Sequence, residues 1–471
     1  MSSTTALDEH REQNAAVADD LVARVEETGV EFLYYQSVSL TGRVVGKVVP
    51  ARHLRRNLER GINLHRTAMS DLQVDRAGNL LGGGTEAAEF TAMPDPETFA
   101  VLPWDTSVGR FLCRVYEPGH RPDVGGRPLA TDARSNLQRK HAAFTEATGL
   151  RLRSGCEPEM TWTGPGLDVH YKPGSSPAYH ADSLEVMRPV YQRVIRYAQA
   201  LGFDMIEGDY EDPGQLELNW MFDDADRTAD RLVTYRQICR QVARELGVNA
   251  SFMPKPAAGV MGNGCHHNLS LWRVGVDGGQ GVDGEQGENI LADPGVTEMH
   301  LTEAGRHAVG GILSHSAGMM ALMGPTVNSY KRYWDAGQFA PSQINWGFDN
   351  KTCTVRLSAN GRLEFKLPDA SVNPYLSHAA LLSAIKDGLD HAIDPGAPQS
   401  GSSYEGAQSK FEALPLTLSD ALDAFEADPI VRGSFPDDLT DLYLELKRDE
   451  WARFCGAITD WEREMYTDHL P

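Results

Sequence analysis

The apolar and polar positions along the chain predict a β-rich start followed by a longer region of mixed helices and strands. Two short runs with strand-like composition, 31–37 and 43–49, flank a turn-rich segment. Apolar residues recur at helical spacing in 183–201 and 228–246, and residues 377–393 show an Ala/Leu-rich helical pattern. The pattern therefore predicts a small β-rich N-terminal domain and a larger domain in which helices and strands mix.

The domain boundaries follow from punctuation in the sequence. A stretch dense in proline and glycine at 117–128 is typical of a break between domains. We predict a tail or short helix at 1–20, an N-terminal domain at 21–118 and a larger domain at 119–471. The Gly-rich insert 275–287 is predicted to be a surface loop.

Four segments predicted to be strands each place polar side chains on one face, because side chains alternate along a strand. These faces carry Glu157 and Glu159; Gln215, Glu217 and Asn219; His266, Asn268 and Ser270; Arg362, Glu364 and Lys366. One such strand is most simply explained as half-exposed, with its polar face in water. Four together favour a cation site, since neighbouring carboxylates repel one another unless positive charge lies between them. Carboxylates with one imidazole suit Mg²⁺ or Mn²⁺ better than zinc, so we predict a curved sheet with a metal-binding concave face.

Composition and charge exclude several classes of protein. The 44 basic and 66 acidic residues give a net charge of −22, which argues against nucleic acid or a membrane as the main partner, because both require basic patches. No apolar stretch reaches the ~18 residues of a membrane span, and the N-terminus lacks the basic-then-apolar order of a signal peptide. The six cysteines show neither disulfide nor zinc-site spacing, so we expect reduced thiols in a cytoplasmic protein.

Five groups of residues together resemble the motifs of glutamine synthetases, in the same order along the chain. They are Gly155-Cys-Glu-Pro-Glu159; Gly214-Gln-Leu-Glu217; Phe252-Met-Pro-Lys-Pro256 with Gly262-Asn-Gly-Cys-His266; Asn328-Ser-Tyr-Lys-Arg332; and Glu364-Phe-Lys-Leu-Pro-Asp369 with Asn373-Pro-Tyr375. Each motif alone is weak evidence, whereas five in order are highly specific. The resemblance is to the long-chain bacterial type and extends from about residue 31 to the C-terminal end.

This resemblance implies an α+β fold with an N-terminal β-grasp domain and a catalytic domain built on a curved antiparallel sheet with flanking helices. It implies a ligase in which ATP phosphorylates the γ-carboxylate of glutamate and an amine then displaces the phosphate to leave an amide. ATP is therefore an expected substrate, together with two or three Mg²⁺ or Mn²⁺ ions in each active site. The family also self-associates into hexameric rings or dodecamers, in which a neighbour's N-terminal domain completes each active site.

The resemblance also implies two sets of metal ligands. They are Glu159 and Glu217 with a third acid for the metal near the acyl phosphate, and Glu157, His266 and Glu364 for the metal at the nucleotide phosphates. The third acid is ambiguous, because the family usually places it seven or eight residues before the position of Glu217. We favour Glu211, six residues before it, and keep Asp209, eight residues before it, as the alternative.

The remaining matched positions concern glutamate and the nucleotide. For glutamate they are Arg332 at the α-carboxylate, Lys366 at the γ-carboxylate or its phosphorylated form, and Gly262 and Met261 in the surrounding loop. For the nucleotide they are Arg356 and Arg362 at the phosphates, Asn268 in place of a phosphate-contacting histidine, Ser270, and Phe222 as the adenine-stacking aromatic or as ordinary core. Lys351 and Lys366 replace arginines of the family, and a lysine still neutralises an oxyanion but lacks the bidentate fork.

The most informative departure from the family lies immediately before Ala340-Pro341. Ammonia-using members carry a glutamate there, and this chain has Phe339. A phenyl ring cannot accept a proton or pair with ammonium, but it can pack against an alkyl or aryl group. The N-terminal segment that supplies an ammonium-binding aspartate is also missing, with Asp71 only a weak substitute.

The favoured function is therefore a ligase joining glutamate to an organic alkyl or aryl amine, with ADP and phosphate as the other products. The first alternative is glutamine synthesis from ammonia, with another acid such as Asp71 or Asp335 serving ammonium. The second is an inactive, ligase-like structural oligomer, which the retained metal-ligand set argues against. The sequence leaves open which amine is used, which metal is preferred, and whether the ring is a hexamer or a dodecamer.

Overall fold

A computed structural model describes residues 4–172, 175–274, 287–334, 339–404 and 411–469 of the chain. The insert predicted to be a surface loop, apart from Gly287, lies outside these residues, and so does Asp335. In the described parts of the chain the strands form two sheets, one of six strands and one of ten. Together with the helices they give the predicted α+β architecture.

The chain begins with a long helix, α1 (Ala6–Glu27), rather than with a tail or short helix at 1–20, and this helix crosses the predicted boundary at residue 20. It starts at a capping box, in which the Asp8 backbone donates to the Thr5 side chain and the Thr5 backbone donates to the Asp8 side chain. Its buried positions recur at helical spacing and include polar His10 and Asn14, which both donate to the carbonyl of Pro94. Those polar residues on the inner face explain why the sequence pattern concealed the helix.

The N-terminal sheet is of the β-grasp kind. Its strands are β1 (Phe32–Val38), β2 (Val44–Pro50), β3 (Ile62–His65), β4 (Glu89–Pro94), β5 (Ala100–Leu102) and β6 (Asp105–Tyr116). The order is β2-β1-β6-β4-β3, with β5 also on β6; β1 and β6 are parallel and the other pairs are antiparallel. Helices α1 and α2 (Leu54–Arg60) bury Val25 and Leu58 against Leu33 and Phe111 of this sheet.

The ten-stranded sheet carries the predicted polar faces. Its strands are β7 (Leu150–Thr163), β8 (Met205–Tyr210), β9 (Gln215–Trp220), β10 (Asp223–Asp224), β11 (Asn249–Ser251), β12 (Cys265–Arg273), β13 (Glu288–Asn289), β14 (Trp346–Phe348), β15 (Val355–Ala359) and β16 (Arg362–Phe365). The main order is β14-β15-β16-β12-β7-β9-β8, and only β14 and β15 are parallel among its pairs in the described residues. The four strands singled out from the sequence are thus direct neighbours, in the order β16-β12-β7-β9.

Several helices cover the apolar side of this sheet, and others pack outside them. The helices described after the N-terminal sheet are α3 (Ala133–Thr148), α4 (Ala181–Ala200), α5 (Ala225–Leu246), α6 (Glu303–Ser314), α7 (Ser316–Met323), α8 (Ser329–Trp334), α9 (Pro374–Asp390), α10 (Leu418–Ala427), α11 (Pro429–Arg432), α12 (Asp437–Cys455) and α13 (Asp460–Tyr466). Leu152, Leu269 and Leu363 of the strands pack in one core cluster with Ala229 of α5 and Ala379 of α9. The apolar face is buried under helices, which leaves the opposite face of the same strands to carry polar groups.

Two further predictions from composition can be compared with the structure. Among the described helices, none combines the length and the apolar character that crossing a membrane requires. All six cysteines are free thiols.

Candidate active site

The register of the sheet brings the polar positions of neighbouring strands face to face. The facing pairs are His266 with Glu157, Glu159 with Glu217, and Asn268 with Glu364. Directly opposed residues on antiparallel strands have side chains close enough to interact. Four carboxylates and one imidazole, from strands that are far apart in sequence, therefore converge on one surface.

The first acid cluster consists of Glu157, His266 and Glu364, with one potential ligand atom from each residue within 4.8 Å of the others. Nδ1 of His266 is 3.4 Å from Oε1 of Glu364 and 3.6 Å from Oε2 of Glu157. Burial, and then the nearby Lys366 ammonium, lowers the pKa of His266 well below its ordinary value. A neutral imidazole between two carboxylates is a donor set suited to a divalent cation.

The second acid cluster consists of Glu159, Glu211 and Glu217, whose nearest carboxylate oxygens also lie within 4.8 Å of one another. Burial raises the pKa of all three carboxyls, and repulsion from neighbouring acids adds to this effect. The pKa of Glu211 reaches about 9. Three carboxylates that resist ionisation together need either protons or a cation, so this cluster is also suited to a divalent metal.

The structure separates the two candidates for the third acid. Glu211 directly follows β8 and joins Glu159 and Glu217 in the second cluster. Asp209 lies opposite Glu217 in the β8–β9 register and lines the same cavity. Its Oδ1 atom is buried and has no hydrogen-bond partner among the described residues. Asp209 is therefore a carboxylate beyond the two clusters.

Both clusters open into one cavity of about 290 Å³. Besides the acids it is lined by four cationic side chains and by a smaller group of apolar or aromatic residues. The lining residues are Glu157, Glu159, Ala178, Tyr179, Asp209, Glu211, Glu217, Met261, Gly262, His266, Arg332, Phe339, Lys351, Arg356, Glu364 and Lys366. Opposite charges thus share one pocket of small-molecule size.

The cations of the cavity are held against the first acid cluster. Nζ of Lys366 donates to Oε1 of Glu364 at 3.2 Å, and a terminal nitrogen of Arg356 donates to Oε2 of the same residue at 2.7 Å. A terminal nitrogen of Arg332 lies 3.2 Å from Nε2 of His266. These three cations can neutralise oxyanions that enter the cavity, as phosphoryl transfer requires.

Gly262 is required by the close approach of Arg332. A Cβ atom at this position would lie 2.7 Å from Cγ of Arg332 and 2.8 Å from the carbonyl oxygen of Pro254. Any larger residue would displace the guanidinium from the cavity. The expected role of this loop in holding an amino-acid substrate is compatible with that packing.

Aromatic side chains that are open to solvent also line the cavity, and Nζ of Lys351 lies 5.9 Å from the ring centroid of Phe339. Phe339 is 47% exposed and Tyr179 is 63% exposed, and both line the cavity. Both residues have left-handed backbone conformations, with φ of 59° and 60°, which are uncommon for bulky side chains and concentrate at functional sites. Met261 and Ala178 complete an apolar surface near these rings.

Four predicted nucleotide contacts do not line the cavity. Asn268 donates to Oε1 of Glu157 at 2.7 Å, Ser270 accepts from the Trp272 indole at 2.9 Å, and Arg362 donates to Ser358. Phe222 stacks on Trp272 with ring centroids 6.0 Å apart. They occupy the sheet surface beyond the first cluster, so the structure neither supports nor contradicts their proposed contacts.

Sequence reasoning missed several residues that shape the site. Nε2 of Gln215 donates to Glu159, to the Gly262 carbonyl and to Asn263, and so ties the second cluster to the loop. Gln215 was visible as part of a polar strand face, although no role followed from that. Tyr179 lies in an irregular segment before α4 and carries no signal of its function in the sequence.

Comparisons with known proteins agree with this geometry. Residues 130–466 match the family model of the glutamine synthetase catalytic domain. The glutamine synthetase of Rhizobium meliloti (strain 1021) is 31% identical over 95% of this chain and 99% of the relative. The glutamate–methylamine ligase of Methyloversatilis universalis is 31% identical over 94% of this chain and 98% of the relative. The solved GmaS/ADP complex is 33% identical, with a TM-score of 0.83 and coverage of 95% of this chain and 99% of that one.

The matched region contains all five motifs and both acid clusters. The similarity to ligases that use different nitrogen substrates is nearly equal, so overall identity does not distinguish ammonia from an amine. Because the family model covers more than half of the chain and the relatives align along nearly its whole length, the chain belongs to the glutamine synthetase family.

Proposed function

We propose that this protein is an ATP-dependent ligase that joins glutamate to an organic amine in preference to ammonia. Its family supports a ligase that acts on glutamate with ATP. The observation that carries the finer proposal is Phe339, whose half-exposed ring lines the cavity. Ammonia-using members, by resemblance, carry a glutamate at this position.

The two acid clusters fit the divalent ions that the family uses. The carboxylates of the second cluster are buried and mutually repulsive, which is costly unless a cation is bound. Glu157, His266 and Glu364 would hold one ion, and Glu159, Glu211 and Glu217 would hold another. Bound Mg²⁺ or Mn²⁺ would neutralise the phosphoryl oxygens of ATP.

The cations of the cavity account for the acid substrate. A guanidinium can hold a carboxylate by two parallel hydrogen bonds, so Arg332 is the candidate for the α-carboxylate of glutamate. Lys366 is almost completely buried beside Glu364 and would neutralise charge on the γ-carboxylate as it is phosphorylated. Arg356 reaches the cavity from β15 and would face the transferred phosphoryl group.

The apolar wall favours an amine with a hydrocarbon group. An alkyl or aryl amine that buries ~60 Å² of apolar surface against Phe339 would gain roughly 1.5 kcal/mol over ammonia, or about tenfold in affinity. Met261 and Tyr179 extend the surface available for this contact.

Use of ammonia is the second candidate, and Asp209 is the observation that favours it. This carboxylate lines the cavity without belonging to either acid cluster. It could therefore pair with an ammonium ion in place of the glutamate that ammonia-using members carry at the position of Phe339. Asp71 does not line the cavity within its own chain and bonds to Thr41. Many relatives are glutamine synthetases, such as that of Rhizobium meliloti.

We also propose self-association into a hexameric ring or dodecamer, as the family resemblance implies. The C-terminal helix α13 and the residues before it expose a set of large apolar side chains, namely Ile458, Trp461, Met465 and Tyr466. Exposed apolar groups of this size mark interaction surfaces on many proteins. Sedimentation of the full chain would show a hexamer or a larger assembly, and a monomer would contradict the proposal.

An amine panel tests the proposed function. Formation of ADP would be followed with glutamate, ATP and Mg²⁺, using ammonia, methylamine, isopropylamine and aniline as nitrogen substrates. We expect an organic amine to give the highest kcat/KM. The highest value with ammonia would instead establish glutamine synthesis, and no ADP formation with any of them would contradict both candidates.

A further inference from the structure

A second cavity, of about 380 Å³, lies between the N-terminal sheet and helices α3 and α5. None of its lining residues belongs to the candidate active site. Five arginines and four acidic residues line it, in a chain whose net charge is −22. The arginines are Arg110, Arg114, Arg134, Arg227 and Arg231. Arginines thus outnumber acidic residues by one in this pocket, whereas acidic residues predominate in the chain as a whole.

Most of the acidic groups in the second cavity are already bound by other side chains. Arg134 donates to both Asp95 and Asp230, at distances of 2.8 to 3.2 Å. Asp230 also accepts from the Tyr375 hydroxyl at 2.7 Å, and Asp226 lies 3.4 Å from Nδ1 of His141. These acids are therefore poorly placed to neutralise a further guanidinium.

Arg110 is the buried arginine of this cavity that forms no ion pair with a described residue, and the nearby Asp230 carboxylate only partly offsets its burial. Arg110 is only 7% exposed, and a terminal nitrogen donates to the Thr234 hydroxyl at 3.0 Å. Its Nε and its other terminal nitrogen are buried and have no hydrogen-bond partner among the described residues. Nε of neighbouring Arg114 also lacks a hydrogen-bond partner among the described residues, although it lies 3.6 Å from Oδ2 of Asp95. Burial lowers the pKa of Arg110, as expected for a charge removed from water.

A buried guanidinium with two unpaired nitrogens is costly, because each unsatisfied donor has lost its hydration. Water could satisfy the donors but would leave the charge uncompensated. A small oxyanion supplies both acceptor atoms and negative charge, and guanidinium groups bind such ions through a planar fork. Arg227, which is exposed on the rim of the cavity, offers a second cation to the same ion.

We propose that the second cavity is a binding site for a small oxyanion of phosphate or carboxylate chemistry, with Arg110 as its principal donor. Arg227 and Arg114 would complete the positive surroundings of the bound ion. The site borders α5, which also supports the active site: two residues beyond Thr234, Arg236 donates to the carbonyl of Ala370 in the segment after β16. The bound ion would therefore lie beside α5, the helix that also contacts the segment after β16.

Calorimetric titration of the full-length protein without nucleotide or added metal tests this proposal. The probes are inorganic phosphate and succinate. Because the active site also attracts phosphate, the titrations use an Arg356→Met background, in which that second binding site is weakened. We expect one anion site in this background and a loss of ~10–100-fold in affinity on adding Arg110→Met, the effect of removing hydrogen bonds to a charged group.

Three controls keep the result decisive. Arg193→Met removes an exposed arginine that pairs with Glu245 outside the cavity, and it should leave anion affinity unchanged. Arg227→Met, on the exposed rim, should weaken binding several-fold without disturbing the fold. In the Arg356→Met background, anion should raise the Tm, and adding Arg110→Met should abolish this rise. Without anion, adding Arg110→Met should not lower the Tm, because it removes an uncompensated buried charge.

The two probes identify the source of the oxyanion. Binding of phosphate alone assigns the site to phosphate or phosphorylated ligands, and binding of succinate alone assigns it to carboxylates. Failure of the parent to bind either probe would overturn the proposal. The proposal would also be overturned if Arg110→Met and Arg227→Met each left the anion affinity unchanged. That result would not bear on the proposed ligase function, which the amine panel tests separately.

Discussion

Arg332 and His266 lie 3.2 Å apart, with a guanidinium nitrogen directed at Nε2 of the imidazole. Because a guanidinium can only donate, Nε2 must accept, and the ring proton is then on Nδ1, which faces Glu157 and Glu364. A cation held by those carboxylates would need the lone pair of Nδ1, so the ring proton would lie on Nε2 and this contact would be lost. One terminal nitrogen of Arg332 would then be available to a substrate carboxylate, while the other would keep its bond to the Leu367 carbonyl.

The first prediction concerns this coupling. We expect Arg332→Lys to raise the KM for glutamate far more than the KM for ATP, because lysine cannot form the bidentate bond to a carboxylate. Steady-state kinetics with each substrate varied in turn measures both constants. Arg306→Lys, at a half-buried arginine of α6 that pairs with Asp394 and does not line the cavity, is the matched control. A change confined to the ATP constant would assign Arg332 to the nucleotide.

The second prediction concerns the acid clusters. Glu159→Ala and Glu364→Ala each remove a negative ligand and should lower kcat/KM by at least ~100-fold, comparable to the loss of a principal electrostatic stabiliser. Equilibrium binding of Mn²⁺, followed by electron paramagnetic resonance, should show fewer bound ions per subunit. Glu288→Ala, an exposed glutamate of β13, should retain activity and metal binding. Near-normal turnover of either cluster variant would refute its assignment.

The third prediction concerns pH. In the metal-free protein the pKa of Glu211 is raised to about 9 from an ordinary value of 4.5, so above that ordinary value the folded state keeps a proton that the unfolded chain has lost. Stability without metal should therefore fall as the pH rises from about 5 to 9. Bound cations replace these protons, so the stabilisation by Mg²⁺ should increase over the same range.

Thermal melting in chelator and in excess Mg²⁺ measures this pH dependence. Glu211→Gln carries no titrating proton and should flatten the dependence of the metal-free protein. The interval from pH 6 to pH 9 lies entirely above the ordinary pKa of a carboxyl group. A Tm in chelator that rises steadily across this interval would contradict the assigned burial of these acids.

The fourth prediction concerns the nitrogen substrate. Phe339→Glu places a carboxylate where ammonia-using members carry one. It should raise kcat/KM for ammonia and lower it for amines that pack on the ring. We expect the ratio of the two values to shift by at least ~10-fold, from the apolar contact alone. Phe348→Glu places the same charge on a ring that is 41% exposed outside the cavity, and this variant should leave the ratio unchanged.

The polar faces of the strands were the most predictable part of this protein. Alternation of side chains is a local rule, and it correctly grouped Glu157 with Glu159 and Glu364 with Lys366 before any pairing was known. The structure then showed that β16, β12, β7 and β9 are adjacent. That adjacency is not a local property, and it was available only through the resemblance of the motifs to a known family.

The loops were the least predictable part. Tyr179 reaches the cavity through a left-handed backbone conformation in a segment without regular structure, and no periodic pattern encodes such a placement. Helix α1 was underestimated because His10 and Asn14, polar residues, occupy its buried face. Arg110 belonged to an ordinary strand pattern, and its lack of partners depends on packing between two domains.

The two acid clusters share a single strand, β7, which contributes Glu157 to one and Glu159 to the other. A one-residue insertion or deletion in β7 would turn both carboxylates toward the helices and bring Cys156 and Pro158 to the concave face. The two acid clusters therefore allow little gradual change, because the orientation of both carboxylates depends on the same alternation of side chains along β7. Phe339 and Tyr179 lie in irregular segments instead. Single substitutions there can change the preferred nitrogen substrate without moving the acid clusters.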